Sequence, residues 1–267
     1  MSGRASLPPA PGGARKRKTP AEQETLAEST APAGTGRLRC LDHPRFLPAC
    51  ASDKDGWCEL MVDPAADHSR TGGPAGARPN LMLIIASVRP GRAGLPVGEW
   101  FHGLAGARGG FSLDRVDLLE LDLPFMNEPE HPRLRRYIYA HTRAWSARVA
   151  AADAFAFVMP EYNFGFSAPL KNAIDYLCHE WAYKPVGFVS YGGGSGGTRA
   201  VQLLKPVVSA LKMVPLPEAV AIPYVQRRID DGGAFLADAA LEEAAHTMLG
   251  ELLRWEQALR PLRARDH

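Results

Sequence analysis

Three stretches of this chain carry groups suited to holding a charged, flat ligand. The first, Ala86-Ser87-Val88-Arg89-Pro90-Gly91-Arg92-Ala93-Gly94, offers a hydroxyl at Ser87 and two guanidinium groups, Arg89 and Arg92. A guanidinium is a planar fork that takes two oxygens of one phosphate. The second, Pro160-Glu161-Tyr162-Asn163, packs an acid, a phenol and an amide into a loop that exposes its backbone. The third, Tyr191-Gly192-Gly193-Gly194-Ser195-Gly196-Gly197, is nearly bare backbone. Gly192, Gly193 and Gly194 can lie against a ring face and turn N–H groups toward its carbonyl edge. This chemistry is binding and orientation rather than nucleophilic attack. No Ser-His-Asp or Cys-His set is needed, and no catalytic side chain is assigned. His131, His141 and His179 read as surface or helix-packing residues, and Cys178 as a core residue.

The elements that must position these loops alternate between strand and helix. Leu81 to Ile85 is a short continuous apolar run and reads as a central strand. It breaks into the Ser87 loop, and an amphipathic segment, Val97 to Leu104, follows. A strand, a tight loop and a helix N-terminus form an anion site, because free N–H groups and the helix dipole both favour negative charge. Leu113 to Leu121 reads as a second strand, and Leu134 to Ala151 as a helix with Ile138, Trp145 and Val149 on one face. Phe155 to Met159 is a buried strand that Pro160 ends. Ser167 then caps a helix whose apolar face is Leu170, Ile174, Leu177 and Trp181. Pro185 to Ser190 is a fourth strand, Val220 to Pro223 a fifth, and Leu236 to Leu259 a closing helix with Leu241, Met248, Leu252 and Trp255 inward.

Such alternation implies a parallel sheet with helices on both faces. If the sheet takes the flavodoxin-like order 2-1-3-4-5 that the resemblance described below implies, the switch point falls between strands one and three, beneath the Ser87 and Pro160 loops. Gly192, Gly194 and Gly197 also satisfy G-x-G-x-x-G, but a dinucleotide fingerprint belongs after the first strand, with an acid at the end of the next. The glycine loop comes too late for that.

Residues 1–79 differ in kind. Pro and Gly are dense, and no apolar period is sustained, so the segment is expected to be poorly ordered. Arg15 to Lys18 is a short basic run that reads as a solvated tail. Cys40, His43, Cys50, Cys58 and His68 lack the close Cys pairs of structural zinc, and no metal is expected. The 267 residues are 46 % hydrophobic and carry a formal charge of +2, which gives no argument for nucleic acid. Four cysteines without paired spacing fit a reducing cytoplasm. No secretory core is seen, and no apolar run reaches the ~18 residues of a membrane span.

The order P-E-Y-N followed by S-x-P-L-K-N-A-I-D-Y-L resembles the flavin loop of the NADPH-dependent FMN reductase family, flavodoxin-like quinone, azo-dye and metal-ion reductases. The Ser87 loop is similar to that family's phosphate signature S-x-R-x-x-S/R, with Ala86 where Gly is usual and Arg92 at the last position. The glycine loop resembles the third flavin loop, G-G-x-x-G-G before R-A-x-x-x-L. The resemblance covers roughly residues 80–261. It implies a flavodoxin-like FMN-binding domain that passes hydride from NADPH to FMN and two electrons on to a quinone-like acceptor. It places the phosphate on Ser87, Arg89 and Arg92, the ring against Pro160, Glu161, Tyr162 and Asn163, and its pyrimidine side near Gly192, Gly193 and Gly194. It also implies a homodimer or homotetramer, with the loop after strand two approaching the partner's flavin. Release of free reduced FMN, and an FMN-binding redox sensor with little turnover, remain as alternatives.

Overall fold

The computed structural model describes residues 78–263. The basic run at Arg15 to Lys18, the Cys40 to His68 set and all but the last two residues of the expected N-terminal extension lie outside the described residues. Five parallel strands, β1 (Asn80–Ile85), β2 (Ser112–Asp117), β3 (Ala154–Pro160), β4 (Pro185–Tyr191) and β5 (Val214–Ile222), pair in the order β2-β1-β3-β4-β5, as expected. Six helices connect and close them: α1 (Gly94–Arg108), α2 (Leu118–Leu121), α3 (Ala140–Ala151), α4 (Ala168–Asp175), α5 (Thr198–Ala210) and α6 (Ala239–Arg263).

Strand alternation sends side chains to two cores. Met82, Ile84, Phe155 and Phe157 join Trp145, Ile174, Trp181 and Leu204 on one face. Leu81, Leu83, Ala156 and Val158 meet Val97, Phe101, Met248 and Leu252 from α1 and α6 on the other. Burial on both faces explains why β1 and β3 read as unbroken apolar runs.

Several boundaries differ from the sequence expectation, each for a local reason. The second strand stops at Asp117, four residues early. The Asp117 carboxylate accepts from Leu119 N at 3.0 Å, capping the single turn of α2. The helix expected from Leu134 begins only at Ala140. Arg135 takes a left-handed φ of 52°, and the Glu128 carboxylate accepts from Ile138 N and Tyr139 N, holding that segment extended. Ile138 is 56 % exposed rather than inward. The α4 helix ends at Asp175, so Trp181 reaches the core from a separate 3-10 turn, His179–Trp181. Ser167 stands at the N-cap of α4, but its hydroxyl donates to Ala86 O at 2.8 Å and ties that helix to the β1 exit. The β3 strand runs through Pro160, β5 starts six residues early, and Trp255 on α6 is 39 % exposed rather than inward.

Candidate functional site

Four segments at the carboxyl edge of the sheet surround one cleft of about 360 Å³. Arg89, Arg92 and Ala93 line it from the loop after β1. Pro160, Glu161 and Tyr162 come from the end of β3, and Tyr191, Gly192 and Gly193 from the end of β4. Tyr224, Val225, Gln226 and Arg227, which follow β5, complete the wall. The volume lies in the usual range of small-molecule sites, ~300–1,000 Å³.

At the β1 end, Ser87 is fully buried and its hydroxyl has no hydrogen-bond partner. The Tyr191 hydroxyl is buried and unpartnered too. Both point at the first residue of α1: a Cβ on Gly94 would lie 2.1 Å from Ser87 Oγ and 2.4 Å from Tyr191 OH. Buried hydroxyls without partners cost free energy unless a ligand satisfies them. They meet at a helix N-terminus, where backbone N–H groups favour an anion. Burial pushes the Tyr191 phenol up in pKa. The phenol therefore stays a neutral donor at any ordinary pH.

The two arginines of this loop are not equivalent. Arg92 donates from Nη1 to Asp117 Oδ1 at 2.6 Å and from Nη2 to Asp117 Oδ2 at 2.5 Å, and also to Ser87 O. The Asp117 side chain is 0 % exposed and that of Arg92 only 9 %. Most of Arg92's fork is engaged with Asp117, so its main visible task is to brace the loop against the end of β2. Arg89 is exposed and makes no ion pair among the described residues.

The Pro160 loop is latched to the glycine loop. Glu161 accepts from Arg199 Nε at 2.7 Å and from Ser195 Oγ at 2.9 Å. Burial raises the Glu161 pKa, but the hydrogen bonds from Arg199 and Ser195 outweigh it and hold the carboxyl below the usual range. Tyr162 and Gly165 exchange backbone hydrogen bonds of 2.9 Å across a tight turn. Its two central residues, Asn163 and Phe164, have φ of 48° and 71°. Asn tolerates that region, whereas Phe there costs about 1–2 kcal/mol. The Arg199 guanidinium, 3.8 Å over the Phe164 ring, offsets part of that cost. Asn163 thus makes the turn and stands outside the cleft wall, as does Gly194, which packs against Tyr224.

In the glycine loop the tightest approach is at Gly197, with φ of 85° and a hypothetical Cβ 2.7 Å from Tyr191 N. At Gly193 the same test meets open space. Of the residues singled out from sequence, Arg89, Arg92, Pro160, Glu161, Tyr162, Gly192 and Gly193 line one cleft, with Ser87 buried beside the α1 N-terminus. Sequence reasoning did not single out Tyr191 or the Tyr224 to Arg227 turn. Tyr191 ends β4 and the turn follows β5, both at the carboxyl edge, and applying that rule to β4 and β5 would have found them.

The family model for NADPH-dependent FMN reductases matches residues 79–227. The chain belongs to that family. It is 39 % identical over 176 residues to an NAD(P)H-dependent FMN reductase of Schizosaccharomyces pombe, covering 65 % of this chain and 85 % of that one. It is 32 % identical over 145 residues to a probable NADPH:quinone oxidoreductase of Oryza sativa, covering 52 % and 70 %. Among solved structures, a flavoenzyme NAD(P)H:(acceptor) oxidoreductase from Paracoccus denitrificans matches with a TM-score of 0.53 at 21 % identity, over 67 % of this chain and 98 % of that one. That last likeness is one of fold. Among the described residues no helix is long and apolar enough to cross a membrane, and no cluster of metal-binding side chains occurs.

Proposed function

We propose that this FMN reductase family member is an FMN-dependent NAD(P)H oxidoreductase whose second substrate is a quinone-like acceptor. One observation carries the reading. Two buried, unpartnered hydroxyls, Ser87 Oγ and Tyr191 OH, converge on the N-terminus of α1 at one end of a cleft walled by the Pro160 and Gly192 loops. Those donors fit a phosphate, and the loop walls beyond them, with glycine backbone at Gly192 and Gly193, leave room for a ring.

FMN, when bound, supplies the redox chemistry, taking a hydride from the nicotinamide and returning two electrons to the acceptor. The protein holds and orients. Ser87, Tyr191 and the exposed fork of Arg89 would hold the phosphate, while Arg92 keeps the loop in place through Asp117. Pro160 and Tyr162 would cover the ring on one side. Gly192 and Gly193 would bring backbone against its polar edge with no side chain in the way. The Glu161 latch fixes the spacing between those two walls.

The protein is further assigned as a cytoplasmic homo-oligomer. The cytoplasm rests on the cysteine pattern. The assembly rests on the family resemblance, and it is supported by apolar side chains left exposed, with Phe125 at 84 % and Leu134, Ile138, Tyr139 and Phe164 also open. Where such side chains form a contiguous patch, they mark a contact surface. Sedimentation velocity of wild type against Phe125→Asp tests this, and a wild-type monomer at micromolar concentration overturns it.

The functional test is direct. Purified full-length protein is expected to be yellow, to release FMN on denaturation, and to oxidise NADPH or NADH in the presence of a soluble quinone. Colourless protein that fails to take up added FMN refutes the cofactor assignment. Bound FMN with turnover below about one per minute, against the ~10 per second of ordinary enzymes, would instead favour a sensor.

A further inference from the structure

Three arginines line the cleft, and the loop after β1 does not account for all of them. Arg92 is committed to Asp117. Arg89 and Arg227 make no ion pair among the described residues. They stand on loops that leave β1 and β5, three strand spacings apart in the sheet, roughly 14 Å. FMN carries one phosphate, and the hydroxyls of Ser87 and Tyr191 already mark its place beside Arg89. A second unneutralised guanidinium across the cleft faces a different anion.

The turn that presents Arg227 is built rather than loose. Tyr224 has φ of 49° and its N–H donates to Gly193 O at 3.0 Å. Val225 beneath it is buried, and Arg227 N donates to Tyr224 O at 2.9 Å. The next residue, Arg228, bonds Asp238 at 2.8 Å and accepts from Leu236 N through its carbonyl, anchoring the turn to the segment before α6. The Arg227 guanidinium lies 4.7 Å from the centre of the Tyr224 ring. Stacking leaves the edge of the fork, with its N–H donors, available for an anion.

We infer that Arg227, stacked on Tyr224, binds a phosphate of the pyridine nucleotide cosubstrate. The inference rests on the oxidoreductase reading and extends it to a named contact. Two phosphate sources share this chemistry: the pyrophosphate bridge of both NADH and NADPH, and the 2′-phosphate of NADPH alone.

The test uses full-length FMN-loaded protein, wild type, Arg227→Ala and Arg227→Lys. Steady-state KM and kcat are measured with NADPH and with NADH, alongside retention of FMN and direct titration with NADP+. In Arg227→Ala, KM for NADPH and the NADP+ dissociation constant are expected to rise about 10-fold or more. The effect falls on KM rather than kcat, and FMN retention does not move. Arg227→Lys recovers only part of the affinity, because an ammonium lacks the planar fork. A matching rise for NADH assigns the contact to the pyrophosphate, and an unchanged NADH value assigns it to the 2′-phosphate. Unchanged KM and NADP+ affinity overturn the inference. So does a loss of FMN in proportion, which would put Arg227 in the flavin site instead. Should wild-type protein bind FMN without nicotinamide turnover, the oxidoreductase reading falls, while the NADP+ titration still decides whether Arg227 makes the contact.

Discussion

Arg89 and Arg92 look alike in sequence, yet substitution by Ala should damage this protein in opposite ways. In the structure Arg92 provides two hydrogen bonds to an Asp117 carboxylate that is 0 % exposed. Without Arg92, that carboxylate keeps one donor, Leu119 N at 3.0 Å. Breaking a buried pair on one side costs about 3–5 kcal/mol, because the remaining charge is left in a poor medium. Against a total stability of about 5–15 kcal/mol, this is a large fraction. With a urea slope of ~2 kcal/mol per molar, Arg92→Ala should lower the unfolding midpoint by about 1.5–2.5 M. Arg89 is exposed and unpaired, so Arg89→Ala should change stability by less than about 0.5 kcal/mol. Its cost should appear in FMN affinity, about 2–3 kcal/mol or ~30- to 150-fold for one lost charge-assisted contact. Urea unfolding of flavin-free protein and FMN titration by fluorescence quenching read the two effects separately. Adding Asp117→Asn to Arg92→Ala should recover much of the stability, since an amide keeps a cap for Leu119 N without a stranded charge. The reasoning is refuted if Arg92→Ala unfolds at the wild-type midpoint, or if Arg89→Ala is the less stable of the two.

Three further outcomes are expected. Tyr191→Phe should weaken FMN about 10- to 150-fold, the worth of one hydrogen bond to a charged group, and leave riboflavin binding unchanged; equal losses for both flavins would place the hydroxyl away from the phosphate. Gly94→Ala should lower FMN affinity more than Tyr191→Phe does, because the added methyl lands 2.1 Å from Ser87 Oγ and 2.4 Å from Tyr191 OH; equilibrium dialysis with FMN checks this, and wild-type retention counts against it. The Glu161 latch has a depressed carboxyl pKa, so its contribution is complete above the ordinary glutamate value of ~4.3 and is lost as the pH falls through the folded-state value. FMN retention should therefore decline in acid in wild type, and Glu161→Gln should be weaker at neutral pH and flatter below it; superimposable pH profiles would rule out the latch.

The fold was legible because its signals are local and dense. Runs such as Leu81 to Ile85 and Phe155 to Met159 have few ways to hide from water other than a doubly covered parallel strand. The loops that end them announce a ligand edge through Arg, Pro and Gly placed where a strand gives way to a helix. Element ends were less legible. Leu118 to Leu121 has strand-like composition, and only the Asp117 side chain turning back to cap Leu119 N makes it a helical turn. Ile138 matches a helical face, but the distant Glu128 carboxylate takes the N–H groups of Ile138 and Tyr139.

By itself the sequence determined that an anion loop and a ring loop would leave the same carboxyl edge of a parallel sheet, and the family resemblance, borne out by the strand order, put them on neighbouring strands. It also determined the class of chemistry, because hydroxyl, guanidinium and glycine backbone bind and orient but do not attack. Tertiary structure alone decided which arginine is available. Asp117 lies 25 positions beyond Arg92, and only the pairing of β2 with β1 brings its buried carboxylate within reach. The same holds for Tyr191 and Arg227, which join the cleft because β4 and β5 end at the same edge of the sheet. Side-chain type is written along the chain, but the partner that engages or frees it is set by packing across it.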